Sequence, residues 1–224
     1  MSGMPSAALS NEMGTGKIRY SLDGSDIDRM SLPYDRPIPI GRTMTLKAAA
    51  FDGEKTVGPV SSQSVFVHKA LGRDVAYVTP PNRYTGGGPG ALTNGIRGSL
   101  SHNDGKWQGF QQSGMQATVD LGSVTDIGSI AVTTLQKTTS WIFFPVRIEF
   151  RVGDDTTTLR TVATVERPLT AEHDGPTIQE FKQSFQGLRG RYVRVNASNT
   201  GVCPPWHPGA GQPAWVFVDE IVVE

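Results

Sequence analysis

The feature that most constrains this chain is the spacing of its apolar residues, which repeats every two positions. Ile18, Tyr20 and Leu22 alternate with Lys17, Arg19 and Ser21, and Val146, Ile148, Phe150 and Val152 alternate with Arg147, Glu149 and Arg151. Ala117, Val119 and Leu121, and again Val193 and Val195, follow the same rule. Successive side chains of an extended backbone point to opposite faces, so each segment reads as a strand with one face in a core. No stretch carries the apolar stripe of a three-turn helix. At most a helical turn is expected near residues 73–78 or 103–107.

Turn signals separate the strands. Asp23-Gly24 and Asp52-Gly53 suit tight turns that need a positive φ. Gly86-Gly87-Gly88-Pro89-Gly90 is a glycine-rich loop, and Cys203-Pro204-Pro205-Trp206-His207-Pro208-Gly209-Ala210-Gly211 is a loop rigid at one end and flexible at the other. Short strands between such turns predict an all-β sandwich or barrel. A short polar connection follows Val65-Phe66-Val67, and the strands resume from Asp74. This predicts two domains, residues 1–69 and 70–224, the first of a size for a small immunoglobulin-like sandwich and the second for a larger one.

Composition removes several classes of function. The 21 Lys and Arg residues balance 21 Asp and Glu residues, so the excess of cations that drives nucleic-acid binding is missing. The single cysteine, Cys203, rules out an intrachain disulfide or a multi-cysteine zinc site, and nothing beside it in sequence would lower its pKa, so it reads as an inert buried thiol. No run approaches the ~18 apolar residues of a membrane span. Met1-Ser2-Gly3-Met4-Pro5 shows neither a basic nor an apolar signal region. The four histidines, His68, His102, His173 and His207, are scattered. The loop at residues 86–90 lacks the following Gly-Lys-Ser/Thr of a phosphate cradle.

Two groups of motifs resemble known families. Ile18-Arg19-Tyr20-Ser21-Leu22-Asp23-Gly24-Ser25, with Thr45-Leu46-Lys47-Ala48 and Phe51-Asp52-Gly53, resembles the small β module C-terminal to the catalytic domain of bacterial chitobiases and β-hexosaminidases. Ala91-Leu92-Thr93-Asn94-Gly95, Asp104-Gly105-Lys106-Trp107-Gln108-Gly109-Phe110, Val119-Asp120-Leu121-Gly122, Gly190-Arg191-Tyr192-Val193-Arg194-Val195 and Asp219-Glu220-Ile221-Val222-Val223 resemble the discoidin, or coagulation-factor C-type, domain, also known as carbohydrate-binding module family 32. Ser140-Trp141-Ile142-Phe143-Phe144-Pro145 and the loop at residues 203–211 are similar to the C-terminal tail of Bacteroides-type family 20 β-N-acetylhexosaminidases. The resemblance implies an all-β chain: an immunoglobulin-like sandwich followed by a discoidin-type jelly-roll sandwich. It further implies an exported parent enzyme, periplasmic, on the outer-membrane surface or extracellular, of which this chain is a non-catalytic part.

Family 20 enzymes use an adjacent Asp-Glu pair to orient the substrate's acetamido group and protonate the leaving oxygen. Asp219-Glu220 does not match that pair, which follows a His-x-Gly-Gly pattern in a large barrel; here Phe217-Val218 precede it in an apparent terminal strand. Asp154-Asp155 reads as a hairpin turn. The expected role is therefore binding, to glycans ending in N-acetylhexosamine or galactose, with the parent's catalytic domain as the second partner. Discoidin ligands sit in loops at one end of the sandwich, and the loops mapped there offer Tyr84, Gln136, Trp141, Asn199, Trp206 and His207. Sugar C–H faces lie against indoles, and hydroxyls pair with amides and imidazoles.

Alternatives accompany these residues. Trp141 is the foremost sugar contact, or else the first residue of a hydrophobic clamp with Ile142, Phe143 and Phe144. Trp206 is a sugar contact, a lid packed on the sandwich, or a surface for the catalytic domain. Asn199 could cap a turn. Trp107 and Trp215 are assigned to the core. The resemblance also implies a structural calcium held by Asn94, Ser99, Asp104 and Glu220. Asn94 stands where the family usually has Asp, and it offers an oxygen without a charge; alternatively Asn94-Gly95 is simply a turn and Glu220 is paired with an arginine. Two further roles are open: accessory modules that buttress the catalytic domain without binding sugar, and an adhesion module for proteins or cell surfaces. The neutral charge speaks against the second of these.

Overall fold

A computed structural model describes residues 5–81, 83–169 and 175–224. Its contacts divide the chain into two compact units, Met1–Val67 and His68–Glu224. The first holds β1 (Ser6–Ala7), β2 (Lys17–Ser21), β3 (Leu32–Pro33), β4 (Ile38–Pro39), β5 (Met44–Asp52) and β6 (Lys55–Val65). Strands β3, β2, β5 and β6 form a four-stranded antiparallel sheet in that order, and β1 pairs with β4. Ile38, Met44, Leu46, Ala50 and Val65 are buried at its centre.

The second unit holds β7 (Val75–Tyr77), β8 (Gln108–Gln111), β9 (Met115–Gln136), β10 (Arg147–Gly153), β11 (Arg160–Glu166), β12 (Thr177–Ser198) and β13 (Trp215–Val223), with 3₁₀ turns at Ala91–Thr93 and Thr138–Ser140. The strand order is β11-β10-β12-β9-β13-β8, with β7 added to β9, and every pairing is antiparallel. Strands β9 and β12 run 22 residues each, and register shifts interrupt their pairing between Ser184 and Leu188 and between Gly190 and Tyr192. Such irregularities bend a strand and raise its twist, so each long strand serves both layers of one antiparallel sandwich. The chain is all-β, as its alternation predicts.

The alternation explains the core directly. In β10, Ile148, Phe150 and Val152 are buried while Arg147, Glu149 and Arg151 point away. They meet Val119, Ile130, Val132, Val193, Val195 and Ile221 in one cluster. Residues 73–78 correct an expectation: Val75–Tyr77 form a strand, because Val75, Ala76 and Tyr77 pair with Val119, Thr118 and Ala117. Residues 103–107 contain no helix. Trp107 and Trp215 pack with Leu135, Ile142 and Phe217 in a second buried cluster. Gly98 passes so close to Trp107 that a Cβ there would collide with the indole.

One irregularity sets the chemistry of the last strand. Val218 pairs with Thr134 but Ile221 pairs with Val132, so Asp219 and Glu220 together oppose one residue of β9. In plain alternation one of the two would face outward. At this bulge both are 0% exposed.

Candidate functional site

The loop between β9 and β10 is closed by backbone bonds. Lys137 N donates to Ile142 O at 2.9 Å and Ile142 N donates to Lys137 O at 3.2 Å, while Trp141 N donates to Thr138 O at 2.7 Å. Trp141 adopts φ 62° and ψ 24°, the left-handed region. A bulky side chain there costs about 1–3 kcal/mol and persists only where its surroundings impose it. The surroundings here are Ile142, Phe143 and Phe144, all buried, which pull the chain inward immediately after the turn. Trp141 is left out of that apolar run and stays 38% exposed.

The proline-rich loop is fastened against it. Cys203 N donates to Gln212 O at 2.8 Å and Gly211 N donates to Cys203 O at 3.0 Å, closing the loop at its neck. The Cys203 thiol is buried, which pushes its pKa up. His207 Nδ1 accepts from Gly209 N at 3.0 Å, so the proton sits on Nε2, which donates to Thr138 O at 2.9 Å. His207 thereby staples the two loops. Gly209 passes beneath the Trp141 indole, and a Cβ there would lie 2.9 Å from its Nε1. Trp206 meets Phe143 edge-on, with centroids 6.1 Å apart at 72°, and remains 41% exposed. Adjacent loops thus present two half-open indoles.

The other expected contacts lie elsewhere or are already engaged. Gln136 is 2% exposed, enclosed where β9 pairs with β12, and its Nε2 has no hydrogen-bond partner. Asn199 donates from Nδ2 to Phe110 O at 3.1 Å and to Ala214 O at 2.9 Å and accepts from Gly201 N at 3.0 Å. It is a backbone brace with no free polar edge for a sugar. His207 is buried, with both ring nitrogens engaged, and acts on the loops rather than on a ligand. Tyr84 packs against Trp215 at 5.5 Å, Phe217 at 4.8 Å and His102 at 5.9 Å. Its ring also lines a pocket of about 290 Å³ with Arg83, His102, Asn103 and Trp107. Sequence reasoning missed Arg83, His102 and Asn103, as well as the positioning roles of Gly209 and Thr138. No spacing marks them, because residues far apart in the chain build both features. His173 lies outside the described residues.

The four residues expected to hold calcium do not fit a cation. Glu220 Oε1 accepts from His68 Nε2 at 2.9 Å, and both its oxygens accept from Gly95 N at 3.1 Å. Asn94 Oδ1 accepts from Ile96 N, Asp104 accepts from Ser99 N and Lys106 N, and Ser99 Oγ accepts from Ser101 N. A cation repels N–H dipoles that a carboxylate attracts, so these oxygens are oriented for donors and not for a metal. Among the described residues no group of three or more His, Cys, Asp or Glu side chains is arranged to hold a metal. Asp219 accepts from Gly98 N at 2.8 Å and lies 3.6 Å from Arg97 Nη1; burial pushes its carboxyl up to about 7. Arg97 also donates to Glu180 at 2.9 Å and to Thr133.

Residues 3–62 match the chitobiase/beta-hexosaminidase C-terminal domain. A search of the curated proteins gives no match. Among solved structures, the chain is similar to a Streptococcus pneumoniae fucose binding module, at 14% identity over 70% of this chain and 94% of that one, with a TM-score of 0.46. A chitosan-binding module from Paenibacillus sp. IK-5 aligns at 17% identity over 70% and 98%, with a TM-score of 0.43. A Clostridium perfringens module in complex with GlcNAc-α-1,4-galactose aligns at 14% identity over 70% and 94%, with a TM-score of 0.42.

Proposed function

We propose that the larger unit binds glycan through the face formed by Trp141 and Trp206. The chain then serves as the non-catalytic, sugar-holding part of an exported β-N-acetylhexosaminidase. The observation that carries this reading is the strained, half-exposed Trp141, held over Gly209 by loops that His207 staples together. An aromatic face complements the C–H face of a pyranose. A platform rigid before binding loses little entropy when it binds. The match of residues 3–62 supports a hexosaminidase parent. The adjacent carboxylates Asp219 and Glu220 are buried beneath the surface and bonded within the fold, so they protonate no substrate. Holding the parent on a glycan raises the local concentration of cleavable ends.

Isothermal titration of this chain with N-acetylglucosamine, chitobiose and galactose tests the reading. At least one is expected to bind, and Trp141→Ala is expected to weaken that binding about tenfold or more. Absence of binding to any of them, or affinity unchanged in the variant, rejects it.

A second reading, support of the parent's catalytic domain, is favoured by the first unit. That unit carries a groove of about 450 Å³ lined in part by Met13, Ile18, Val57 and Pro59. Deleting the chain from the parent would then lower the parent's melting temperature and leave its KM unchanged; a raised KM with unchanged melting would reject this role.

A further inference from the structure

The pocket beside Tyr84 carries a charge pattern that the two indoles do not. Its walls include the Tyr84 ring, His102 and Asn103. The Arg83 guanidinium lies over the Tyr84 ring, 5.6 Å from its centroid. Lys137 bridges to Ile142, and Ile142 to Trp215, the residue against which the Tyr84 ring packs. Among the described residues neither Arg83 nor Lys137 has a carboxylate partner, although the unit's other charged side chains form many pairs. Asp104, two residues beyond His102, has its two oxygens turned to the backbone N–H groups of Ser99 and Lys106. His102 Nδ1 is buried without a partner. An arginine without a carboxylate partner on the pocket wall, beside an aromatic ring, an amide and an imidazole whose Nδ1 is unengaged, describes a receptor for a ring that bears an anion. Arginine offers a carboxylate or a sulfate two parallel N–H donors, and neutral His102 can donate to or accept from a hydroxyl.

We infer that this pocket binds an acidic sugar, a pyranose carrying a carboxylate or a sulfate, beside the indole face. The inference rests on the sugar-binding reading and names the ligand class for this end of the unit. Unpaired surface cations would strengthen such binding mainly at low ionic strength, because the field of an exposed charge decays over about 10 Å at 0.1 M salt.

The test is titration of the intact chain with glucuronic acid and with N-acetylglucosamine 6-sulfate, using N-acetylglucosamine and galactose as neutral controls. The carboxylated and sulfated arms distinguish the two sources of charge. At low salt at least one acidic sugar is expected to bind about tenfold tighter than both neutral ones, and added sodium chloride should erode that advantage. Arg83→Gln and Lys137→Gln should each reduce the advantage while leaving neutral binding in place. Melting curves of each variant establish that it folds, and the salt series on the unaltered chain reads the same charge without any variant. Neutral sugars binding as tightly as acidic ones, or an acidic advantage unchanged by salt and by both substitutions, overturns the inference and leaves the sugar-binding reading standing. Binding of no sugar at all overturns both.

Discussion

Two loop clusters of the larger unit treat polar chemistry in opposite ways. Around Asp219 and Glu220 the carboxylates are fully buried; His68, Gly95 and Gly98 donate to them, Arg97 stands nearby, and Asp219 Oδ1 accepts no hydrogen bond. Around Trp141 and Trp206 the polar groups are used to lock loops, and large aromatic surface is left open. An adjacent Asp-Glu pair therefore signals nothing about catalysis here, since the fold takes up both groups internally. What stays open at these loops is indole surface, which is what the proposed sugar-binding role requires.

The comparison breaks most easily at Glu220. Glu220→Ala leaves His68 Nε2 and Gly95 N as buried donors without their acceptor. Each buried donor left without its acceptor costs about 1–3 kcal/mol. Urea denaturation should show a loss of at least about 2 kcal/mol, or failure to fold. His68→Ala should err in the same direction. The melting temperature of the unaltered chain should be the same in EDTA and in calcium. A loss near zero, or melting that calcium raises, would mean that these oxygens serve a cation and that the cluster is a site after all.

Gly209→Ala sharpens the other side. The added Cβ would lie 2.9 Å from Trp141 Nε1 and 3.1 Å from Cε2, and His207 holds the Gly209 N–H in place. The Gly209 backbone does not require a positive φ, and the added Cβ would press on the Trp141 indole and come within 3.3 Å of His207 Nδ1. Sugar affinity should fall about tenfold with little change in melting, and tryptophan fluorescence should shift. Unaltered affinity with a displaced indole would remove Trp141 from the binding face.

The strands were legible because their signal is local: Ile148, Phe150 and Val152 announce a buried face within seven residues. The buried carboxylates were not legible. His68 and Glu220 are 152 positions apart, and only the bulge at Val218 and Ile221 turns both acids inward. Trp141-Ile142-Phe143-Phe144 reads from sequence as either clamp or platform, and the fold makes it both. Three side chains are buried and one is exposed, divided by a left-handed residue that no alternation rule anticipates. Gln136 and Asn199 have side chains suited to sugar hydroxyls, yet strand pairing encloses the first and three backbone bonds occupy the second. The Tyr84 pocket draws on residues 83–87 and 102–107, and only tertiary structure brings those segments together.

The smallest effect is expected where charge is neither buried nor offered to a ligand. Arg191 donates from Nε and Nη2 to the two Asp120 oxygens, each at 2.8 Å, with both side chains partly in solvent. Its hydrogen bond, with that from Gly122 N, holds the Asp120 carboxyl below its ordinary value of 3.8. A carboxyl lowered by folding stabilises the fold at every pH above its unfolded value and ceases to do so as pH falls through its folded value. Solvent screens the pair, so Arg191→Gln should lower Tm by no more than roughly 3 °C at neutral pH. The gap between variant and parent should close as pH falls through the folded value of Asp120, below which its carboxyl is protonated in both. If this exposed pair proved worth as much as the Glu220 cluster, burial would not be what separates the two, and the contrast between internally neutralised acids and open loops would lose its physical basis.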